Sequence, residues 1–279
     1  MNICIVGLGL IGGSLAKAIS ARTSHKCIGI DANAQSCEKA LNCGAVKQII
    51  TPQQLSQADV VILALPPQAI TDFFKQNVEF MQRGALVFDT CGVKQKIVES
   101  VLPVAKQYGI RFVGAHPMAG REFSGFEYSL ETLFDKASFI AVTDGADDKD
   151  VDAVCALAKE IGFESVKVTT AEHHDRVIAY TSQLAHVVSN AYCKSPTIKE
   201  RDGFCAGSFA DMTRVGKLDV QLWTQLFLAN APALKDELEN LINKLTEFKD
   251  VIAAEDKEQL IKLLQEGNDI KVQSLIGGK

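Results

Sequence analysis

Short apolar runs alternate with amphipathic stretches of helical period through residues 1–168, and beyond them the pattern changes. The strand candidates are residues 2 to 7, 27 to 31, 46 to 50, 59 to 65, 85 to 89, 111 to 115, 138 to 143 and 164 to 168. Val60-Val61-Ile62-Leu63-Ala64-Leu65 is apolar throughout, as a central strand buried on both faces would be. Strands separated by helical stretches predict a doubly wound parallel sheet covered by helices. From Thr170 the apolar residues recur at three and four positions, at Val177, Thr181, Leu184, Val188 and Ala191, which predicts a helix burying that face. Phe227, Leu234, Leu238, Leu241, Leu245 and Phe248 predict a second stripe on one helix of about six turns. The expectation is an α/β domain over residues 1–168 and an all-α domain over 169–279. So long a stripe needs a partner surface, inside the helical domain or across a homodimer, and the two are compatible. The terminal Gly277-Gly278-Lys279 is expected to fray.

The first strand runs directly into Gly7-Leu8-Gly9-Leu10-Ile11-Gly12, and a helical pattern follows. In a strand-to-helix turn the first glycine permits the tight bend, the second admits a pyrophosphate to the backbone, and the third lets helix and strand pack closely. A lone glycine motif of this kind carries little weight. Here Asp31 also ends the second strand, 19 residues beyond Gly12, where a carboxylate accepts hydrogen bonds from a ribose diol. The combination predicts a Rossmann-type dinucleotide site. A carboxylate at that point repels a 2′-phosphate, and no Arg or Lys follows closely in Ala32-Asn33-Ala34-Gln35, so the expected cofactor is NAD. The plainer reading of Asp31 is a cap for the turn before the next helix.

The charge balance, 29 Lys and Arg against 34 Asp and Glu, forms no basic stripe and disfavours a nucleic-acid surface. The eight cysteines show no CxxC pair and no Cys/His cluster of metal-ligand spacing, so no metal site is expected. Scattered thiols point to a reducing compartment. With no basic segment and cleavage site at the start and no apolar run of membrane-spanning length, the expected location is the cytoplasm, away from membranes.

Ligands of open α/β sheets bind beyond the carboxyl ends of the strands. Leu65-Pro66-Pro67, Asp89-Thr90-Cys91-Gly92-Val93-Lys94 and Ala115-His116-Pro117-Met118-Ala119-Gly120 each follow a predicted strand and are expected to converge there. Leu65, Pro66 and Thr90 are candidates for the nicotinamide wall. Of the five histidines, His116 alone closes a predicted sheet strand. An imidazole titrates near operating pH, so it can take a proton from a hydroxyl whose carbon loses hydride. Without the glycine site, a histidine satisfying backbone groups in a turn would be the better reading. Cys91 is positioned to line the pocket rather than to act as a nucleophile.

Four segments together resemble the prephenate/arogenate dehydrogenase family of tyrosine biosynthesis: Gly7 to Gly12, Asp89 to Lys94, His116-Pro117-Met118-Ala119-Gly120, and Phe209-Ala210-Asp211-Met212-Thr213-Arg214. The resemblance spans nearly the whole chain, and the His-Pro-Met-Ala-Gly loop with the later Asp-x-Thr-Arg segment is far more specific than the glycines. It implies a homodimeric enzyme that oxidatively decarboxylates a cyclohexadienol. It implies that His116 polarises the ring hydroxyl, that Arg214 binds a substrate carboxylate, as its planar fork suits, and that His186 donates a hydrogen bond on the substrate side. Without the resemblance, an Arg214–Asp211 ion pair and a core role for His186 stand as equals to these. Glu122 and Asp211 correspond to acidic positions at the pocket mouth, where pairing with Arg214 would gate access. Trp223 is expected in the core. Two departures stand out: Gly92 replaces a serine whose hydroxyl lies beside the catalytic histidine in many members, leaving Thr90, Cys91 or water to substitute, and Gln183 replaces a histidine found in some.

Arogenate, which differs from prephenate only at the side-chain keto group, is the alternative substrate. A β-hydroxyacid or imine dehydrogenase would instead place a lysine on the helical domain, where this chain has Gln183, His186 and Asn190. A non-enzymatic NAD sensor would keep Asp31 and the glycines without needing His116 and Arg214 together.

Overall fold

The structure, a computed structural model, describes residues 1–276; the expected fraying of the last three residues lies outside the described residues. Six parallel strands form the main sheet: β1 (Asn2–Val6), β2 (Lys26–Ile30), β3 (Gln48–Ile49), β4 (Val60–Leu63), β5 (Leu86–Asp89) and β6 (Arg111–Val113), in the order β3-β2-β1-β4-β5-β6. The strand order reverses between β1 and β4, and there the crevice for a dinucleotide opens. The helices α1 (Leu10–Arg22), α2 (Ala34–Asn42), α3 (Pro67–Asn77) and α4 (Gln95–Tyr108) connect successive strands.

Side chains alternate across the strands, so the sheet divides the core in two. Ile3, Ile5, Ile62 and Phe88 face Leu15 and Ile19 of α1, whereas Cys4, Val6, Val61 and Val87 face Ile70 and Phe74 of α3 and Ile97 and Val101 of α4.

A second sheet was not expected from the apolar pattern. β7 (Ala115–Pro117) pairs antiparallel with β8 (Ser138–Val142), which pairs parallel with β9 (Ser165–Thr169), and α5 (Asp148–Ile161) joins β8 to β9. The chain changes sheets at Gly114, where an added Cβ would lie 2.7 Å from a methyl of Val142. His116 therefore sits within a strand, opposite Ile140, and not in a loop after one as the sequence suggested.

The remaining helices are α6 (Ala171–Ile178), α7 (Ala185–Tyr192), α8 (Gly207–Thr213), α9 (Val220–Ala229), α10 (Ala231–Ala253) and α11 (Lys257–Ile276). A π-helical turn over Ala179–Leu184 joins α6 to α7. Ala171, His174, Asp175 and Ile178 form the buried face of α6, while Val177 and Thr181 of the expected stripe point to water. The expected six-turn helix is divided at Asn230, between α9 and α10. The chain packs as two units, Met1–Ala231 and Pro232–Lys279, so α6 to α9 belong with the sheets.

Candidate active site

Gly7 adopts φ +93, and a Cβ there would collide with the Ala64 carbonyl. A Cβ at Gly12 would strike the Gly7 carbonyl, which is why α1 starts so close to β1. A Cβ at Gly9 would meet no atom within 4 Å. Gly9 also caps α1 without any side chain bonded to the helix's first N–H groups, and the first turn contains Leu10 and Ile11 but no acidic residue. The cradle thus suits a pyrophosphate, which takes up free helix N–H groups and needs bare backbone to approach. Asp31 follows β2 directly; its carboxylate accepts the Leu8 N–H at 2.5 Å and the Asn33 N–H at 2.7 Å. It braces the glycine turn, while Asn33 caps α2. Each oxygen retains acceptor capacity for a ribose diol. Leu65 packs beside Gly7, and the hydroxyl of Thr90 turns toward the Leu63 carbonyl at 3.5 Å.

His116 is fixed by a polar network reaching well beyond its own strand. Lys94 and Asp89 form a fully buried ion pair. Asp89 accepts the Ala115 N–H at 3.0 Å while Lys94 donates to the Ala115 carbonyl at 2.5 Å, so both peptide groups preceding His116 are held by one pair of charges. On the other side, His116 Nδ1 lies 2.9 Å from Nε2 of His174, whose Nδ1 lies 2.7 Å from Asp175. Asp175 also accepts the backbone N–H groups of Lys94 and Gln95 at the start of α4. Burial, then the neighbouring His174 and Lys94, hold the His116 imidazole well below its ordinary range. Burial also lowers His174, against the opposing hydrogen bond to Asp175. A neutral His116 is therefore available to accept a proton at physiological pH.

The sequence reading passed over His174, Asp175 and the bracing role of Lys94. The available signal was an Asp directly following a His one turn into a helix capped by Thr170. Neither Thr90 nor Cys91 hydrogen-bonds His116 among the described residues; its ring is held by His174 at Nδ1, on the edge away from Gly92. Burial pushes the Cys91 thiol up to about 12, which leaves it unreactive.

Gly92 adjoins the other edge of His116, where an added Cβ would lie 3.7 Å from Nε2 and 3.5 Å from a methyl of Leu226 on α9. One turn earlier on α9, Trp223 stacks on His186 with centroids 3.8 Å apart, so Trp223 is half-buried and not part of the core as expected. Burial lowers the His186 imidazole, the bond to the Ser182 carbonyl raises it, and nearby Arg214 lowers it again. That 2.8 Å bond takes the proton on Nδ1, so neutral His186 presents Nε2 as an acceptor, and the expected donor role requires a second proton. Arg214 and Asp211 are exposed, and no ion pair joins Arg214 to Asp211 or Glu122 among the described residues. Glu122 lies in the exposed turn after Gly120. Gln183 is buried and structural, donating to the Leu226 carbonyl and accepting from Asn230.

A nucleotide crevice on a 3-2-1-4-5-6 sheet, with a buried neutral imidazole at its margin and helices packed beside it, defines a nicotinamide-dependent dehydrogenase. The comparisons carry this further. Residues 15–167 match the family described as prephenate dehydrogenase, nucleotide-binding domain, and residues 170–266 match prephenate dehydrogenase, dimerization domain. The chain belongs to the prephenate dehydrogenase family, whose members are NAD-dependent prephenate or arogenate dehydrogenases. It is 30% identical to a cyclohexadienyl dehydrogenase of Zymomonas mobilis over 97% of this chain and 95% of that one. A crystal structure of prephenate dehydrogenase from Aquifex aeolicus, in complex with hydroxyphenyl propionate and NAD+, superposes with a TM-score of 0.87 at 29% identity, covering 98% of both chains. The arogenate dehydrogenase of Synechocystis superposes with a TM-score of 0.83 at 28% identity, over 98% of this chain and 100% of that one.

Proposed function

We propose that this chain oxidatively decarboxylates prephenate to 4-hydroxyphenylpyruvate with NAD, His116 acting as the acid–base residue. The observation that carries the reading is the shared face of α9. Leu226 and the Nε2 edge of His116 both border Gly92, and Trp223, one turn before Leu226, stacks on His186 near Arg214. This supports a reading in which one small anionic ring lies between the proton acceptor and the guanidinium.

Gly7, Gly9, Gly12, the start of α1 and Asp31 would hold NAD, with Leu65, Pro66 and Thr90 beside the nicotinamide. NAD supplies the hydride acceptor. His116 takes the proton of the ring hydroxyl as ketone character develops at that carbon, and returns it to the phenolate oxygen once carbon dioxide has left. Arg214 pairs with a substrate carboxylate and His186 lies against the same end, with Glu122 and Asp211 at the mouth. Aromatisation drives the reaction, so the protein's task is orientation and proton transfer. The functional boundary falls at residue 168, with the nucleotide-binding part before it and the substrate-binding and dimer-forming part after it. Eight free cysteines support a cytoplasmic location, and no described helix is long and apolar enough to cross a membrane.

Steady-state assays with prephenate and arogenate, each with NAD and NADP, test this. Turnover of prephenate with NAD is expected, together with a kcat about 10²- to 10⁴-fold lower for His116→Asn at similar KM, and a raised KM for Arg214→Gln. Exclusive use of arogenate would reassign the substrate, and turnover of neither would overturn the proposal.

A further inference from the structure

We propose that the His174–Asp175 pair locks His116 in the tautomer that carries its proton on Nδ1, which makes His174 a positioning residue for the base. The inference rests on the acid–base role given to His116 above.

Proton placement follows from counting donors and acceptors along the chain of contacts. The Asp175 carboxylate receives three groups: the Lys94 N–H at 2.7 Å, the Gln95 N–H at 2.9 Å and His174 Nδ1 at 2.7 Å. A carboxylate only accepts, so His174 carries its proton on Nδ1. Burial keeps that ring neutral, so Nε2 holds a lone pair. The lone pair faces His116 Nδ1 at 2.9 Å, and the contact is a hydrogen bond only if His116 is the donor. In the opposite tautomer two lone pairs would meet there. His116 Nε2 is left as the free acceptor, and it is the atom on the Gly92 side.

The arrangement also makes up for Gly92, which has no side chain to steer the ring. His174 and Asp175 are nearly fully buried, at 2% and 1% exposure, so water does not compete for either bond. Asp175 is itself immobilised by α4, whose first N–H groups it caps, and by Asn230, whose amide donates to the Asp175 carbonyl at 2.8 Å. Such outer partners fix the tautomer and orientation of a working imidazole.

Nitrogen-15 NMR of histidine-labelled protein reads the tautomer directly, the His116 signals being assigned by their loss in His116→Asn. Above the imidazole pKa, a protonated Nδ1 and bare Nε2 are expected for His116; the reverse would overturn the proposal without any further variant. In kinetics, His174→Gln retains an acceptor toward His116 and a donor toward Asp175, so its kcat should stay within about threefold of the wild type. His174→Phe keeps the bulk and removes the acceptor, and should lose about tenfold or more in kcat with little change in KM. Equal losses in both variants, with the His116 signals unchanged, would make His174 a packing residue and sink the idea. Absence of turnover with both prephenate and arogenate in the wild type would defeat the functional reading instead, while the NMR result would still decide the tautomer.

Discussion

His116, His174 and His186 are all held below the ordinary imidazole range, each chiefly by burial. Groups that stay neutral in the native state bind protons more readily once the chain unfolds. On acidification the unfolded ensemble therefore gains protons first. The stability that depends on this is full above the unfolded histidine pKa of about 6.5 and drains away as pH falls through it toward the native values. Thermal unfolding followed from about pH 8 down to pH 5 is expected to show a decline in Tm beginning near pH 7. A less steep decline is expected for His174→Gln, and identical slopes for the two proteins would contradict it. Sequence alone singled out His116, because a histidine at a sheet edge beside a glycine motif stands out. His174 did not stand out, because its partner is distant along the chain and the periodicity of α6 says nothing about what its buried face meets.

Among the elements, the glycine turn, β1, α1 and Asp31 were readable because each obeys a local rule of spacing. The junction at Ala115 was not, since a strand that leaves one sheet for another has the same apolar look as one that stays. What holds the junction is the buried Asp89–Lys94 pair. Removing one partner strands the other charge away from water, a change worth about 3–5 kcal/mol. Asp89→Asn is accordingly expected to lower the denaturation free energy by about that amount and to cut turnover as the peptide before His116 loosens. A variant as stable as the wild type would show that the pair is not what fixes the strand. The break at Asn230 had a visible marker in Pro232, which a helix tolerates in its first turn but not in its middle. The apolar stripe running past it concealed the stop. Of the stripe expected from Val177 to Ala191, Leu184 is buried while Val177, Thr181 and Ala191 face water, because the wide turn over Ala179–Leu184 interrupts the helical period and the buried face of α6 is half polar.

For the molecule as a whole, the α/β head with helices after it was legible because strand and helix periods differ so plainly. Sheet membership was not, because pairing is a non-local property. Large apolar side chains remain in water on the second unit, including Ile242, Leu245 and Ile252 of α10 and Ile261, Leu264 and Ile270 of α11. A stable monomer rarely leaves so many exposed, and the matching family domain is described by dimerisation. We infer a homodimer formed through α10 and α11. Sedimentation should find the wild type as a dimer at micromolar concentration, and a Leu245→Glu, Ile261→Glu double variant as a folded monomer. A wild type that sediments as a monomer, or an unaffected dimer in the variant, would count against that surface.

The wide turn over Ala179–Leu184 has a consequence for how the two ends of that helical rod can change. Each residue added to or removed from a helix rotates everything downstream by about 100°. His174 precedes the turn and serves the proton acceptor, whereas His186 follows it and meets Trp223. A single deletion within the turn would swing His186 off its indole and, because Gln183 in that turn holds the Asn230 amide that also bonds the Asp175 carbonyl, would loosen the Asp175 clamp as well. The looser winding thus ties the two histidines together, so that a change of length within it is expected to disturb His186 and the support behind His174 at once.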